Sequence, residues 1–241
     1  MTRLDPDTRG GLRLTLAAVA GVVLVVPFAL LLLLVVDHWG PLQRLDLRLD
    51  IHLNSFAFAH PGFVSAMQVI SIVGNPATFE VLGVLIAVAL LLRRQPRLGV
   101  WLALTVLGGG LLSTVVKTAV GRKRPLLPHP VAHALSASFP SGHALGAVVG
   151  VGALLLVGLP YATPTLRAPL VVLGVLVVLA IGFSRLGLGV HYLSDVLGGY
   201  LLGAGWLAAT TAAFTAWRRD RRLPRRPLTE GLEPAAPEPS A

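Results

Sequence analysis

The chain contains no cysteine. That excludes a disulfide, a thiolate metal site and a cysteine nucleophile, and it leaves the redox compartment unread. Charge is scarce as well. Asp, Glu, Lys and Arg make up 13% of the 241 residues, where a soluble domain carries about a quarter. With 54% hydrophobic residues and a mean hydropathy of +0.76, the composition is that of a membrane protein. The formal net charge is +9, yet a nucleic-acid partner does not follow. The basic residues are scattered between apolar runs and form no continuous basic face. A signal peptide does not fit either. The first apolar run exceeds the roughly 7–15 residues of a signal core, and no small-residue cleavage site follows it, so it reads as a retained span.

Long apolar runs are what the chain has in abundance. A bilayer-spanning helix takes about 20 mostly apolar residues. Six segments meet that description: Leu14–Val36, Pro76–Leu92 with an apolar lead-in over Phe63–Val73, Gly99–Val120, His143–Leu159, Pro169–Phe183 and Tyr192–Trp217. The sequence therefore predicts an all-α integral membrane bundle of six transmembrane helices over residues 14–217. A short N-terminal segment, 1–13, precedes it. A basic, then Pro-rich tail, 218–241, follows it and has the composition of a disordered segment.

Six spans put both termini on one side, and the Lys and Arg loading selects that side. Arg3, Arg9, Arg13, Arg93, Arg94, Arg97, Arg167, Arg218, Arg219, Arg221, Arg222, Arg225 and Arg226 fall on one face, thirteen of the 20 cationic side chains. The positive-inside rule makes that face cytoplasmic. Arg44, Arg48, Lys117, Arg122, Lys123, Arg124 and Arg185 then lie at the extracytoplasmic face of a cell membrane, together with all seven histidines.

Between the first two spans, Asp37 to Gly62 alternates apolar and polar residues, as in Leu45-Asp46-Leu47-Arg48-Leu49-Asp50-Ile51. Strict alternation is the signature of a strand. With no partner strand in view, we read the segment as a helix lying in the membrane interface, a plain connector being the other reading. Gly74-Asn75-Pro76 predicts a chain break before the second span.

Three short motifs sit at span edges, where ionisable residues are costly and tend to mark function. Lys117 and Arg124 are seven residues apart, so on a helix they share a face two turns apart. Pro125 then ends the helix. Two cations on one face form a clamp for an anion. Arg122 and Lys123, by contrast, are expected to snorkel to lipid headgroups. Ser141-Gly142-His143 stands where a loop enters the fourth span. Ser141 is suited to cap that helix and Gly142 to let a ligand approach its exposed amides. His191 and Asp195 are four apart and share a face. A carboxylate on one ring nitrogen fixes the tautomer and frees the other nitrogen as nucleophile or base. Arg185 precedes them across Gly187 and Gly189, which allow the chain to turn back. Two histidines and an aspartate could also bind zinc, but the field of Lys117, Arg124 and Arg185 repels a cation and attracts an anion. No metal and no other cofactor is expected.

Taken together, Lys117 with Arg124-Pro125, Pro140-Ser141-Gly142-His143, and Ser184-Arg185 with His191 and Asp195 resemble the signature of the type 2 phosphatidic acid phosphatase family, which shares its site with the vanadium-dependent haloperoxidases. Every signature position is filled, in order and with internal spacings kept. The resemblance implies a metal-independent lipid phosphatase. His191 would attack phosphorus to form a phosphohistidine, Asp195 would orient it, and His143 would protonate the leaving oxygen. Lys117, Arg124, Ser141, Gly142 and Arg185 would hold the phosphate oxygens. Ser184 would support Arg185. The expected substrate is a phosphomonoester or pyrophosphate lipid of the phosphatidic acid, phosphatidylglycerol phosphate or undecaprenyl diphosphate class, reached sideways from the membrane. A non-catalytic lipid-phosphate binder or transporter, or a lipid phosphotransferase, are the alternatives on the same scaffold.

A few polar residues fall outside the motifs. His129 and His133 read as surface-loop residues. Glu80, inside a span, is expected to form a structural ion pair, with the border of a substrate path as its other reading. Gly108-Gly109-Gly110 reads as a site of close helix packing.

Overall fold

The computed structural model describes residues 24–219, with side chains to 215. Eight α-helices follow one another: α1 Leu24–Val36, α2 Gly40–Ala59, α3 Pro61–Val73, α4 Pro76–Leu92, α5 Pro96–Val120, α6 Gly142–Gly158, α7 Pro164–Gly187 and α8 Leu193–Arg219. A 3₁₀ turn, Leu159–Tyr161, extends α6. No strand occurs among the described residues. The expected terminal segments, and residues 14–23 of the first expected span, lie outside the described residues, except that α8 runs on to Arg219.

Local chemistry sets the helix boundaries. Proline stands at the first or second position of α2, α3, α4, α5 and α7, where its missing N–H leaves no helical bond unmade. Asn75 caps α4 by accepting from the Ala77 amide at 3.0 Å. Gly121 closes α5 in the left-handed conformation, φ +60°, which a glycine adopts without a Cβ penalty.

Five helical stretches are long and apolar enough to span a membrane: Pro61–Leu92, Pro96–Val120, Gly142–Tyr161, Pro164–Gly187 and Leu193–Thr215. The pair α1–α2, bent by 88°, makes a sixth if counted as one broken span. The expected all-helical membrane bundle is thus what forms, and the apolar lead-in at Phe63–Val73 belongs to the first of these spans. The fifth expected span starts earlier than its apolar run, at Pro164, because Pro169 is accommodated inside α7.

Helix α6 is central and touches α4, α5, α7 and α8. Leu98, Trp101, Leu102 and Val106 of α5 pack with Leu145, Val149 and Ala153 of α6 and with Phe214 of α8. Lipid tails are as apolar as these side chains, so close packing rather than water exclusion holds such helices together. The fit between α6 and α8 shows how close. A Cβ on Gly199 would stand 2.6 Å from the Ser141 carbonyl oxygen. The triple glycine of α5 works in the same way at two of its three positions. Trp206 fills the space at Gly108 and Val149 that at Gly109, whereas Gly110 faces the Glu80 carboxylate.

The segment after α1 is helical, as expected over a strand, but its polarity is inverted. Asp46, Asp50 and Asn54, one turn apart each, are buried, while Leu45, Leu47, Leu49, Ile51, Phe56 and Phe58 are exposed. Helix α2 turns its polar stripe to the protein and its apolar residues outward. It thereby covers the end of the bundle at which the three motifs meet.

Candidate active site

Four pieces of chain converge under α2: the C-terminal end of α5 with the loop 121–140, the start of α6, the end of α7 and the start of α8. Gly189, at φ +65°, lets the chain reverse after α7. That reversal brings His191 to the mouth of α8.

His191 is buried, with Nδ1 3.4 Å from Asp195 Oδ2 and Nε2 3.2 Å from Arg124 Nη1. Asp195 is fully buried and heavily bonded. Its Oδ2 accepts from the Tyr192 amide at 2.9 Å and from the Ser138 hydroxyl, and its Oδ1 accepts from Arg122 Nη1 at 2.5 Å. Such a carboxylate fixes the ring so that Nε2 points at the cations. Burial pushes the His191 imidazole down to about 4 against the pull of Asp195, with Arg124 and Lys117 adding to the fall. The ring is therefore neutral at neutral pH, with a lone pair available on the outward nitrogen.

Lys117 and Arg124 meet at the Ala137 carbonyl, which accepts from Lys117 Nζ at 2.8 Å and from Arg124 Nη2 at 3.5 Å. Arg124 also bonds the Val190 carbonyl and, through Nε, the Ser136 carbonyl at 2.7 Å. Burial lowers the Arg124 guanidinium from its ordinary value while Asp195 holds it up. The clamp predicted on one helix face is instead built from the α5 end and the loop after it, since α5 stops at Val120.

Ser141 caps α6, its Oγ accepting from the Ala144 amide at 3.5 Å, and its own amide donates to the Asp195 carbonyl at 2.9 Å. Gly142 lies against Lys117: a Cβ there would sit 3.6 Å from Lys117 Cε. His143 Nε2 is 3.4 Å from Ser71 Oγ on α3, and the same hydroxyl accepts from Arg185 Nη1. Arg185 keeps a buried Nε with no hydrogen-bond partner among the described residues, a donor that a bound anion would satisfy. The eight candidate residues thus gather at one end of the bundle, where hydrogen bonds and close contacts link a helix N-terminus, three cations and an oriented histidine.

The structure adds residues that the sequence reading missed and corrects three assignments. Arg122 does not snorkel. Its side chain is 11% exposed and bridges Asp46 Oδ2 at 2.9 Å and Asp195 Oδ1. It also bonds Ser194 Oγ at 2.7 Å and lies 4.2 Å from the centre of the Tyr192 ring. Burial works against its charge, but Asp195 and Asp46 more than offset that and raise it above its ordinary value. Lys123 is exposed, as a snorkelling residue would be. Asp46 in turn accepts from the Ser194 amide at 3.0 Å. One turn further along α2, burial together with Asp46 and Asp195 pushes the Asp50 carboxyl up to about 8 against the pull of Arg122. Neither Asp50 oxygen has a partner among the described residues. Asp50 is therefore protonated at neutral pH, which leaves Arg122 to serve two carboxylates. Ser184 bonds the Ile181 carbonyl of its own helix at 2.6 Å, so the support assigned to it for Arg185 comes from Ser71. Glu80 has no ion pair among the described residues. His129 and His133 are exposed, and His129 stacks on Phe58 at 4.1 Å between ring centres. Only Arg122 carried a sequence signal, as a cation two residues from Arg124. Asp46 and Ser71 had none, because nothing local says which side of their helices meets the site.

Comparison with known proteins identifies the family and the fold. The chain belongs to the PAP2 superfamily, whose family model matches residues 98–219. Phosphatidylglycerophosphatase B of Bacillus subtilis (strain 168) is 44% identical over 96 residues, 39% of this chain and 46% of that protein. A Lipid A 1-phosphatase of Rhizobium etli is 34% identical over 126 residues, 48% of this chain and 49% of that one. An Undecaprenyl-diphosphatase of Sulfolobus acidocaldarius is 30% identical over 133 residues, 51% of this chain and 57% of that one. The matched part of the chain thus spans about half the length of these curated relatives. The crystal structure of a transmembrane PAP2 type phosphatidylglycerolphosphate phosphatase from Bacillus subtilis superposes with a TM-score of 0.66 at 26% identity. That match covers 85% of this chain and 98% of the other.

Proposed function

We propose that this chain is an integral-membrane phosphatase that hydrolyses a lipid phosphate through a phosphohistidine on His191. The observation that carries the proposal is the pairing of His191 with Asp195 on one nitrogen and with Arg124 on the other, beside Lys117, Arg185 and the α6 N-terminus. Those cations and amides hold three phosphate oxygens and compensate the charge that builds on them in the transition state. Nε2 of His191 forms the bond to phosphorus as the bond to the lipid oxygen breaks, and His143 delivers a proton to that oxygen. Water then attacks the phosphohistidine, gives its proton to His143 and releases inorganic phosphate. Asp195 balances the imidazolium character that His191 acquires. Side-chain cations and amides supply the charge compensation, so the reaction needs no metal.

The substrate class follows from depth and from kinship. The site stands at one end of five or six apolar spans, where a lipid headgroup resides. The named relatives are phosphatases of a phosphatidylglycerol phosphate, a lipid A phosphate and an undecaprenyl diphosphate. Arg93, Arg94 and Arg97 stand at the opposite end of α5 from Lys117, which the positive-inside rule assigns to the cytoplasm. The site then opens at the extracytoplasmic face of the cell membrane, with both termini cytoplasmic. The test is phosphate release by the purified protein in EDTA from phosphatidic acid, phosphatidylglycerol phosphate and undecaprenyl diphosphate. Turnover of at least one is expected, and its loss in His191→Ala. No release from any of them overturns the proposal, and retained turnover in His191→Ala overturns the nucleophile.

A further inference from the structure

Beside the phosphate site a cavity of about 550 Å³ runs between α4, α5 and α6. Lys117 and Gly142 line its phosphate end, and Phe79, Val106, Val149 and Gly150 its deep apolar end. Between them Glu80 of α4 projects a carboxylate across the cavity onto α5. A Cβ on Gly110 would meet Glu80 Oε1 at 2.2 Å, so glycine is what gives the carboxylate room. The level is informative. Gly142 stands against Ser113, whose hydroxyl oxygen a Cβ there would meet at 3.4 Å. Gly110 lies three residues deeper on α5, a rise of about 4.5 Å. The carboxylate thus sits about one helical turn below the amides that face the phosphate. That is the span of two or three carbon atoms beyond a phosphoester oxygen.

Glu80 is half-buried and forms no ion pair among the described residues. A carboxylate inside a span is costly to keep unless something bonds it. The neighbouring Thr114 hydroxyl is already committed to the Gly110 carbonyl at 3.0 Å. Glu80 lines the cavity, so whatever fills it meets this carboxylate, and an ionised carboxylate accepts only from donors. We propose that Glu80 reads the linker of the substrate: it selects a phosphomonoester lipid that carries a hydroxyl or amide N–H two or three carbons from the phosphate, and it disfavours a diphosphate, whose second phosphate would lie toward the same carboxylate. This rests on the proposed lipid phosphatase activity and narrows its substrate.

The test compares lysophosphatidic acid with its 2-deoxy analogue, which lacks only the free hydroxyl, in the purified full chain. A third substrate, carrying an amide N–H at the same carbon, distinguishes the two kinds of donor. In the wild type, kcat/KM for the hydroxyl substrate is expected to exceed that for the deoxy analogue by about tenfold to hundredfold, the range for a hydrogen bond to a charged group. In Glu80→Gln the ratio shrinks, and in Glu80→Ala it falls to about one. At the same time turnover of undecaprenyl diphosphate rises relative to the monoesters. Should Glu80→Ala fail to fold, Glu80→Gln carries the comparison. A wild-type ratio near one for both donors, or a ratio unchanged in the Glu80 variants, overturns this inference while leaving the phosphatase reading intact. Absence of turnover on every substrate overturns both.

Discussion

Replacing Arg122 by Met isolates the contribution of a residue that the three motifs do not include. The methionine keeps most of the side-chain volume and removes the charge. It leaves Asp46 and Asp195, both fully buried, without the cation that bridges them at 2.9 and 2.5 Å. Removing one partner of a buried pair costs about 3–5 kcal/mol. For a chain of this size each kcal/mol lowers Tm by about 2–4 °C, so the midpoint falls by about 6–20 °C. Asp195 retains Ser138, the Tyr192 amide and His191, so His191 stays oriented in part. A loss of about 1.4–2.8 kcal/mol in transition-state stabilisation gives a kcat about tenfold to hundredfold lower. The assays are thermal unfolding in detergent and phosphate release from the best substrate. Lys123→Met, at an exposed neighbour, is the control and should change neither. Asp46→Asn combined with Arg122→Met should cost less than the sum of the two, because the charges no longer stand alone. Should Arg122→Met match Lys123→Met in both Tm and kcat, the bridge has no part in the site.

Two further outcomes follow from the geometry. His191, held down at about 4, should remain neutral as pH falls through 6 in a titration of the imidazole nitrogens by NMR, and a ring that protonates near its ordinary 6.5 refutes the burial argument. The sign for stability is fixed as well. Between about 6.5 and 4 the unfolded chain takes up the proton and the folded one does not, so the His191 contribution is lost as pH falls. Ser71→Ala removes the hydroxyl shared by Arg185 and His143. It should lower kcat/KM about tenfold or more, with partial recovery in Ser71→Thr, and an unchanged kcat/KM refutes the link.

The motif residues were legible because their information is local. Spacing alone puts His191 and Asp195 on one face, and Ser141 at a helix start. Span positions were legible for the same reason, since length and hydropathy suffice. Partners were not. In water a helix advertises its buried side by its apolar stripe. In a bilayer the lipid is as apolar as the core, so the stripe that matters is polar. Helix α2 follows that logic: its Leu–Asp alternation pointed to a strand, the membrane context gave the helix, and neither gave its orientation. Arg122 was misread on the same ground: a cation near a membrane edge has two destinations, and only the position of Asp46, 76 residues earlier, decides between them. Glu80 lacked its expected ion pair because the residue opposite it proved to be a glycine rather than a cation.

The contact between Asp46 and Ser194 joins residues 148 apart in the chain. The site is therefore closed by the meeting of the second described helix with the last. During synthesis α2 is made long before Ser194, so Asp46 gains that partner only when the final span is made. Assembly and activation become one event. A chain that stops before residue 191 holds Lys117, Arg124 and Ser141 but neither His191 nor Asp195, so the proposed chemistry has nowhere to begin until the final span is made.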